Sequence, residues 1–248
     1  MSREIVISVG HGKNASGNYD PGAVSRDKKY HEFRIAREIA KSAADYLQCD
    51  LINYDGTRDL SRRIKDVNAG NYGFAAEIHL NAGGGTGTEA YYYHGSPTGK
   101  KACDEMCKNV SAALNVKNRG AKVKLNSRGT DYFGFIRQTV PCAVLEEAVF
   151  IDCDSDLEKV KTEAGVKTCG EAIAKGIEKA VAENSVYKVT AQSVAARSGA
   201  GENFPVRKNL KKGEKFTVSI TAKRGVWGRL ADSSGWVNLT KGTEKVKK

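Results

Sequence analysis

The sequence predicts an α/β domain, a mixed and mostly parallel sheet with helices on both faces, followed by a small all-β barrel. Through residue 181, β-branched apolar runs alternate with amphipathic stretches of helical period, the pattern of a sheet covered by helices. After residue 185 the helical period disappears and short β runs separated by turn signals replace it. Charge divides at the same place. Of 40 Lys+Arg and 29 Asp+Glu, residues 1–184 hold 26 and 25, and residues 185–248 hold 14 and 4. Almost the whole net charge of +11 therefore lies in the last quarter. A chain of 248 residues suits one medium domain and one small one, here 1–183 and 187–241 with a junction at Glu183-Asn184-Ser185.

In chain order, residues 4–9 form an apolar strand that runs into Gly10-His11-Gly12. A polar loop reaches Asp20-Pro21-Gly22-Ala23. Phe33, Ile35, Ala36, Ile39, Ala40, Ala43, Ala44 and Leu47 then fall at helical spacing, with Glu32 in the first turn, where the helix dipole favours a carboxylate. Residues 50–54 read as a short strand. Residues 60–69 read as a helix with Arg62, Arg63 and Lys65 on its wet side. Residues 73–80 make a buried strand ending on His79 and opening into Asn81-Ala82-Gly83-Gly84-Gly85, where α/β folds place their chemistry. Residues 88–94 are strongly β in propensity, and 98–114 are helical. Residues 117–126 are basic, a loop or short strand facing the substrate groove. Residues 133–138 and 140–151 supply the last two core strands, and 154–181 close the domain with helix. Five short strands follow, over 187–191, 193–199, 215–220, 225–230 and 235–239.

Several classes are disfavoured. The first ten residues lack the apolar core and small-residue cleavage site of a signal peptide, and no stretch has the length of a membrane span. Synthesis in the cytoplasm without stable membrane insertion is expected. The six cysteines show no CxxC spacing, so reduced thiols and no disulfides are expected. Cys103 and Cys107, four apart on a helix, suit either half a metal site or the core. The basic tail suits an anionic polymer, and the chain lacks the aromatic–basic interleaving of a nucleic-acid platform.

His11, Glu32 and His79 stand at strand ends or a helix start. Two histidines and a carboxylate make the three-ligand set of a catalytic zinc site, with a fourth position for water. Such a site also needs a general base. Glu146-Glu147 lies in an otherwise apolar strand, where alternation lets only one of the two reach the metal. Glu77 shares a strand face with His79 and suits either an outer partner of that histidine or a salt bridge. His31 is either exposed or a rival ligand.

Val9-Gly10-His11-Gly12, Asp20-Pro21-Gly22-Ala23, Glu32 with Ile35-Ala36, Ile78-His79-Leu80-Asn81-Ala82, Phe135-Ile136-Arg137-Gln138-Thr139, Pro141, and 145–151 resemble the zinc-dependent N-acetylmuramoyl-L-alanine amidases of the type-3 family. The resemblance spans nearly all of residues 3–182. It implies one zinc ion on His11, Glu32 and His79, Glu147 as the catalytic glutamate, and Asn81 and Arg137 as substrate contacts. It implies hydrolysis, by zinc-activated water, of the amide between N-acetylmuramic acid and L-alanine of the stem peptide. Two positions depart from the pattern. Glu77 replaces a small hydroxyl residue, and Val149 replaces a glycine. Residues 194–199, 210–214, Trp227 and Gly235-Trp236-Val237 resemble a bacterial SH3-like wall-targeting domain, its charge suited to anionic wall polymers. The two tryptophans suit the core of so small a barrel. An enzyme of this kind, endolysin or autolysin, acts on peptidoglycan after release by lysis or through a membrane-hole former. A non-catalytic wall binder with a degenerate amidase domain and another zinc peptidase are the competing readings.

Overall fold

The computed structural model describes residues 5–70, 72–181, 185–222, 226–232 and 234–246, with side chains of 220–222 excepted. Expectations for residues 1–4, for Glu183 and Asn184 at the junction, and for Gly225 lie outside them. The elements of the first part are β1 (Ile5–Val9), β2 (Gly12–Lys13), β3 (Tyr19–Asp20), α1 (Glu32–Leu47), β4 (Asp50–Ile52), α2 (Leu60–Ala69), β5 (Phe74–Asn81), β6 (Thr88–Tyr92), α3 (Pro97–Leu114), β7 (Asn118–Lys122), α4 (Gly134–Gln138), β8 (Cys142–Phe150), α5 (Asp154–Val160) and α6 (Glu163–Val181). The second part holds β9 (Ser185–Val189), β10 (Ser193–Arg197), β11 (Val206–Lys211), β12 (Lys215–Ala222), β13 (Trp227–Leu230), β14 (Trp236–Asn238) and β15 (Thr243–Lys245).

The first part is built on a sheet of order β4-β1-β5-β8-β6-β7. All neighbours run parallel except β8 and β6, so the sheet is mixed and mostly parallel. Alternation along β5 and β8 sends Phe74, Ala76, Ile78, Val144 and Ala148 into the main core, with Ile39 of α1, Met106 of α3 and Ile173 of α6. The other face packs Val6, Ala75 and Ala143 against Ile64 and Val67 of α2 and Phe135 of α4. Helices cover both faces. The second face is covered only at one end, and His79 and Glu147 lie beyond that cover.

Two local readings change. Residues 133–138 do not add a core strand. Gly134–Gln138 is a short helix whose Phe135 and Ile136 are buried. Arg63 is not on the wet side of α2: it is 4% exposed, one helical turn before Val67, and points under the sheet. All six cysteines are free, and Cys103 and Cys107 are buried in the main core.

The second part forms a separate antiparallel sheet of order β11-β10-β14-β13-β12-β9-β15 around Val189, Leu210, Val218, Leu230 and Val237. Among the described residues it has seven strands rather than five, because β11 and β15 carry mostly exposed polar side chains and no readable apolar alternation. Trp227 and Trp236 are buried together with Ala200, and Val140 from just before β8 packs onto them.

Candidate active site and metal centre

Glycines bring the site together. Beyond the end of β1, the Gly10 amide still donates to Ile78 O of β5 (3.0 Å), so the chain stays against His79. A Cβ at Gly10 would lie 2.1 Å from His79 Cε1. His11 follows at φ +61, a left-handed conformation that costs a branched-free residue least but still needs support. Asn53 Nδ2 supplies it, donating to Val9 O (2.9 Å) and His11 O (2.8 Å). Gly22, at φ +68, lets the loop pass Glu32; a Cβ there would sit 2.4 Å from Glu32 Oε2. Glu32 opens α1 and is 3% exposed. Its Oε2 accepts from the Ala23 amide (2.7 Å) and its Oε1 from the Leu80 amide (3.1 Å), so two backbone donors fix the carboxylate.

His11 Nε2 and His79 Nδ1 lie 3.2 and 2.9 Å from Glu32 Oε1, and one donor atom from each of the three residues falls within 4.8 Å of the others. Each imidazole turns its second nitrogen to another carboxylate. His11 Nδ1 is 2.9 Å from Asp20 Oδ2, and His79 Nε2 is 3.1 Å from Glu77 Oε2. This is the outer support that orients ligating histidines and raises their basicity. Glu77, read as either an outer partner or a salt bridge, is both. Its Oε1 accepts from Arg63 Nε (2.7 Å) and Ser8 Oγ (3.2 Å).

The charges decide what the cluster can hold. Three carboxylates, Asp20, Glu32 and Glu77, face one guanidinium, Arg63, so the two imidazoles sit in a surplus of two negative charges. Burial opposes charge on His79, yet hydrogen bonds to Glu32 and Glu77 push it up to about 10. For Glu77, burial is likewise outweighed, by Arg63 and His79, and its carboxyl is held at about 2. Glu32 is held well below the usual carboxylate range against its burial, by the two histidines. A site this hungry for positive charge, with two nitrogen donors and one oxygen donor converging, fits a divalent cation such as zinc. His31 stands outside the group. Its backbone bridges Val24, and its Nδ1 is buried with no hydrogen-bond partner among the described residues.

Glu147 is the register partner of His79 on one side and of Glu89 on the other, so all three share a face. Its Oε2 is buried with no hydrogen-bond partner among the described residues, and burial pushes its carboxyl up to about 7. Glu146 points the opposite way, into the main core. It is fully buried, accepts from Thr88 Oγ1 (2.8 Å), and is pushed up to about 8 by burial. Asn81 donates through Nδ2 to Glu89 Oε1 (2.9 Å). His11, His79, Glu77, Arg63, Leu60 and Phe133 line a cavity of about 400 Å³. Arg137 lies elsewhere: it lines a separate cavity of about 410 Å³ with Tyr93 and Val140. Its Nη1 donates to Asp131 O and Tyr132 O, bracing the loop that carries Phe133.

Sequence reading missed Asp20, Arg63 and Glu89. Asp20 was visible only as part of a turn motif. Arg63 shares the i, i+4 face of Val67, and that spacing is its signal in the sequence.

The family model described as N-acetylmuramoyl-L-alanine amidase matches residues 5–179. The chain is 31% identical over 204 residues to N-acetylmuramoyl-L-alanine amidase CwlM of Bacillus licheniformis, covering 79% of this chain and 77% of that one. Among solved structures, Cwp6 from Clostridium difficile superposes with a TM-score of 0.66 at 30% identity, over 73% of this chain and 30% of that longer chain. The catalytic domain of the CD27L endolysin targeting Clostridia Difficile gives 0.57 at 27% identity, over 71% and 97%. The family model spans the part of the chain that folds around the His-Glu-His group, and on these matches the chain belongs to the N-acetylmuramoyl-L-alanine amidase family.

Proposed function

We propose that this peptidoglycan hydrolase cleaves the amide between N-acetylmuramic acid and L-alanine of the stem peptide, with zinc held by His11, Glu32 and His79 and with Glu147 as general base. The observation that carries the reading is the facing of Glu147 and His79 across β8 and β5, with one oxygen of Glu147 buried and unpartnered. A bound zinc supplies a Lewis acid that polarises the scissile carbonyl and acidifies water. The chain supplies the rest. Asp20 and Glu77 fix the ring orientation of the two histidines, and backbone amides fix Glu32. Glu147, poised at about 7, takes a proton from the attacking water and returns it to the leaving amine of L-alanine. Val149, in place of a glycine, is buried in the main core.

The second part, residues 187–241, is proposed as an SH3-like module that binds peptidoglycan and anionic wall polymers. Its antiparallel sheet and its surplus of basic side chains support this. No helix among the described residues is long and apolar enough to cross a membrane.

Digestion of defined peptidoglycan by zinc-loaded protein tests the reaction. New L-alanine amino termini and muramic-acid lactyl groups are expected, without new reducing ends. Reducing ends without amino termini would overturn the assignment. Glu147→Gln is expected to lose about 10²–10⁴-fold in turnover while binding zinc as tightly as the parent. Full activity in that variant would move the base elsewhere.

A further inference from the structure

One charged network beside the site has no part in the chemistry described so far. Glu89 is 3% exposed and lies on the same sheet face as Glu147 and His79. Its carboxylate accepts from four donors: Arg119 Nε (2.5 Å), Lys122 Nζ (2.5 Å), Tyr91 OH (2.7 Å) and Asn81 Nδ2 (2.9 Å). Two cations on one anion leave a surplus positive charge. Arg119 uses only Nε on Glu89 and lays its guanidinium over the Phe150 ring, 5.0 Å from its centroid. Its terminal nitrogens have no hydrogen-bond partner among the described residues. The Lys122 ammonium, which can donate three hydrogen bonds, donates one. Both side chains remain about a third exposed.

A guanidinium fork stacked on a ring, with its paired nitrogens free, is built to take a carboxylate. Glu89 holds it in place, so little side-chain entropy is lost on binding. The strand order sets the reach. β7 lies two strands from β8, and neighbouring strands are about 4.8 Å apart, which puts the cations roughly 10 Å from Glu147 across the groove. An extended peptide advances about 3.3 Å per residue, so a carboxylate on the second residue beyond the scissile nitrogen comes within reach of these long side chains.

We propose that Arg119 and Lys122, anchored by Glu89, form a subsite for a free carboxylate of the stem peptide near the scissile amide. The second stem residue, a γ-linked D-glutamate, carries such a group when its α-carboxyl is not amidated. The subsite therefore makes the enzyme selective for stems whose second residue is acidic. Amidation removes the charge and leaves the guanidinium facing a weaker acceptor. This inference rests on the amidase reading.

The test compares N-acetylmuramoyl-L-alanyl-D-glutamate with its α-amide, both capped at the γ-carboxyl as methylamides. Cleavage by the zinc-loaded protein is followed, and binding of the two dipeptide products is measured by calorimetry. The wild-type protein is expected to favour the acid about tenfold or more in kcat/KM and in affinity. Arg119→Gln with Lys122→Gln, which keeps hydrogen bonds to Glu89, is expected to bring both ratios near one by weakening the acid compound alone. Equal treatment of acid and amide by the wild type would overturn the subsite, as would a variant that weakens both compounds equally. Should the double variant fold poorly, Lys122→Gln alone is expected to lower the ratio part of the way, and an unchanged ratio would count against the proposal. Selective binding of the acidic dipeptide without any cleavage would sink the amidase reading and leave the subsite standing.

Discussion

Replacing Glu77 by glutamine separates the two tasks of one side chain. The substitution keeps a hydrogen-bonding group against His79 but removes the charge that neutralises Arg63, whose side chain is 5% exposed. A buried ion pair broken on one side costs about 3–5 kcal/mol, because the remaining charge stays buried. Loss of an outer carboxylate from a ligating histidine costs roughly 10–100-fold in metal affinity. Glu77→Gln is therefore expected to lower both the melting temperature and the zinc affinity, read by thermal denaturation and chelator competition. No change in either would mean that the His11 and Arg58 carbonyls satisfy Arg63 without the carboxylate. Glu146 gives the opposite case, a carboxyl raised by burial with Thr88 as its one hydrogen-bond partner among the described residues. Below pH 4.5 it is neutral in folded and unfolded chains alike and contributes no pH dependence. Between 4.5 and about 8 the unfolded chain releases its proton and the folded chain keeps it, so folding stability falls as pH rises, by on the order of a few kcal/mol. Glu146→Gln cannot titrate. Its melting temperature relative to wild type is expected to climb by several degrees from pH 5 to pH 8. A flat difference across that range would show that Glu146 ionises freely in the fold.

At the scale of elements, the candidate site residues legible in the sequence are those that punctuate an element boundary. His11 is flanked by glycines after a strand, Glu32 opens a helix, and His79 ends an apolar strand. Each boundary is a local signal. The supporting residues gave weaker ones. Arg63 lies inside α2, where a basic residue next to Arg62 and Lys65 resembles a wet face unless its spacing to Val67 is counted. Glu89 looked like an ordinary strand residue, because the cations that define it come from β7, a parallel neighbour fixed only by the tertiary fold. Residues 134–138 were ambiguous for another reason. A five-residue segment with two adjacent apolar residues, Phe135 and Ile136, has no period long enough to separate helix from strand. The same scale yields a prediction about Gly22, which holds a left-handed φ of +68 and leaves no room for a side chain beside Glu32 and His11. Gly22→Ala is expected to strain the loop by about 1–2 kcal/mol and to push Glu32 Oε2 aside, weakening zinc binding at least tenfold in a chain that still folds. Zinc affinity equal to wild type by chelator competition would show that the loop, and not the ligand, gives way.

For the whole molecule, the division of charge predicts a division of labour that salt can expose. The first part is nearly balanced, whereas residues 185–248 carry 14 basic against 4 acidic side chains. Within that sheet β11 is an edge strand, paired with β10 alone among the described residues. It presents exposed Arg207, Lys208 and Lys211, and Lys212 and Lys215 follow. The Lys208 ammonium pairs with Asp232, while the side-chain cations of Arg207, Lys211, Lys212 and Lys215 have no carboxylate partner among the described residues. Such side chains attract a polyanion over a Debye length, about 10 Å at 0.1 M salt and 3 Å at 1 M. Attraction through exposed charge is therefore expected to fade across that range, whereas contacts at the buried His-Glu-His cluster are screened much less. Co-sedimentation with intact walls should fall steeply with salt, while cleavage of a small soluble muramyl peptide should change little. Arg207→Ser with Lys211→Ser and Lys212→Ser should lower wall binding at low salt, flatten its salt dependence, and leave turnover of the soluble peptide as in the wild type. Salt-independent wall binding in the parent would assign attachment to the catalytic groove, and the basic strand would then be a solvated face with no wall ligand.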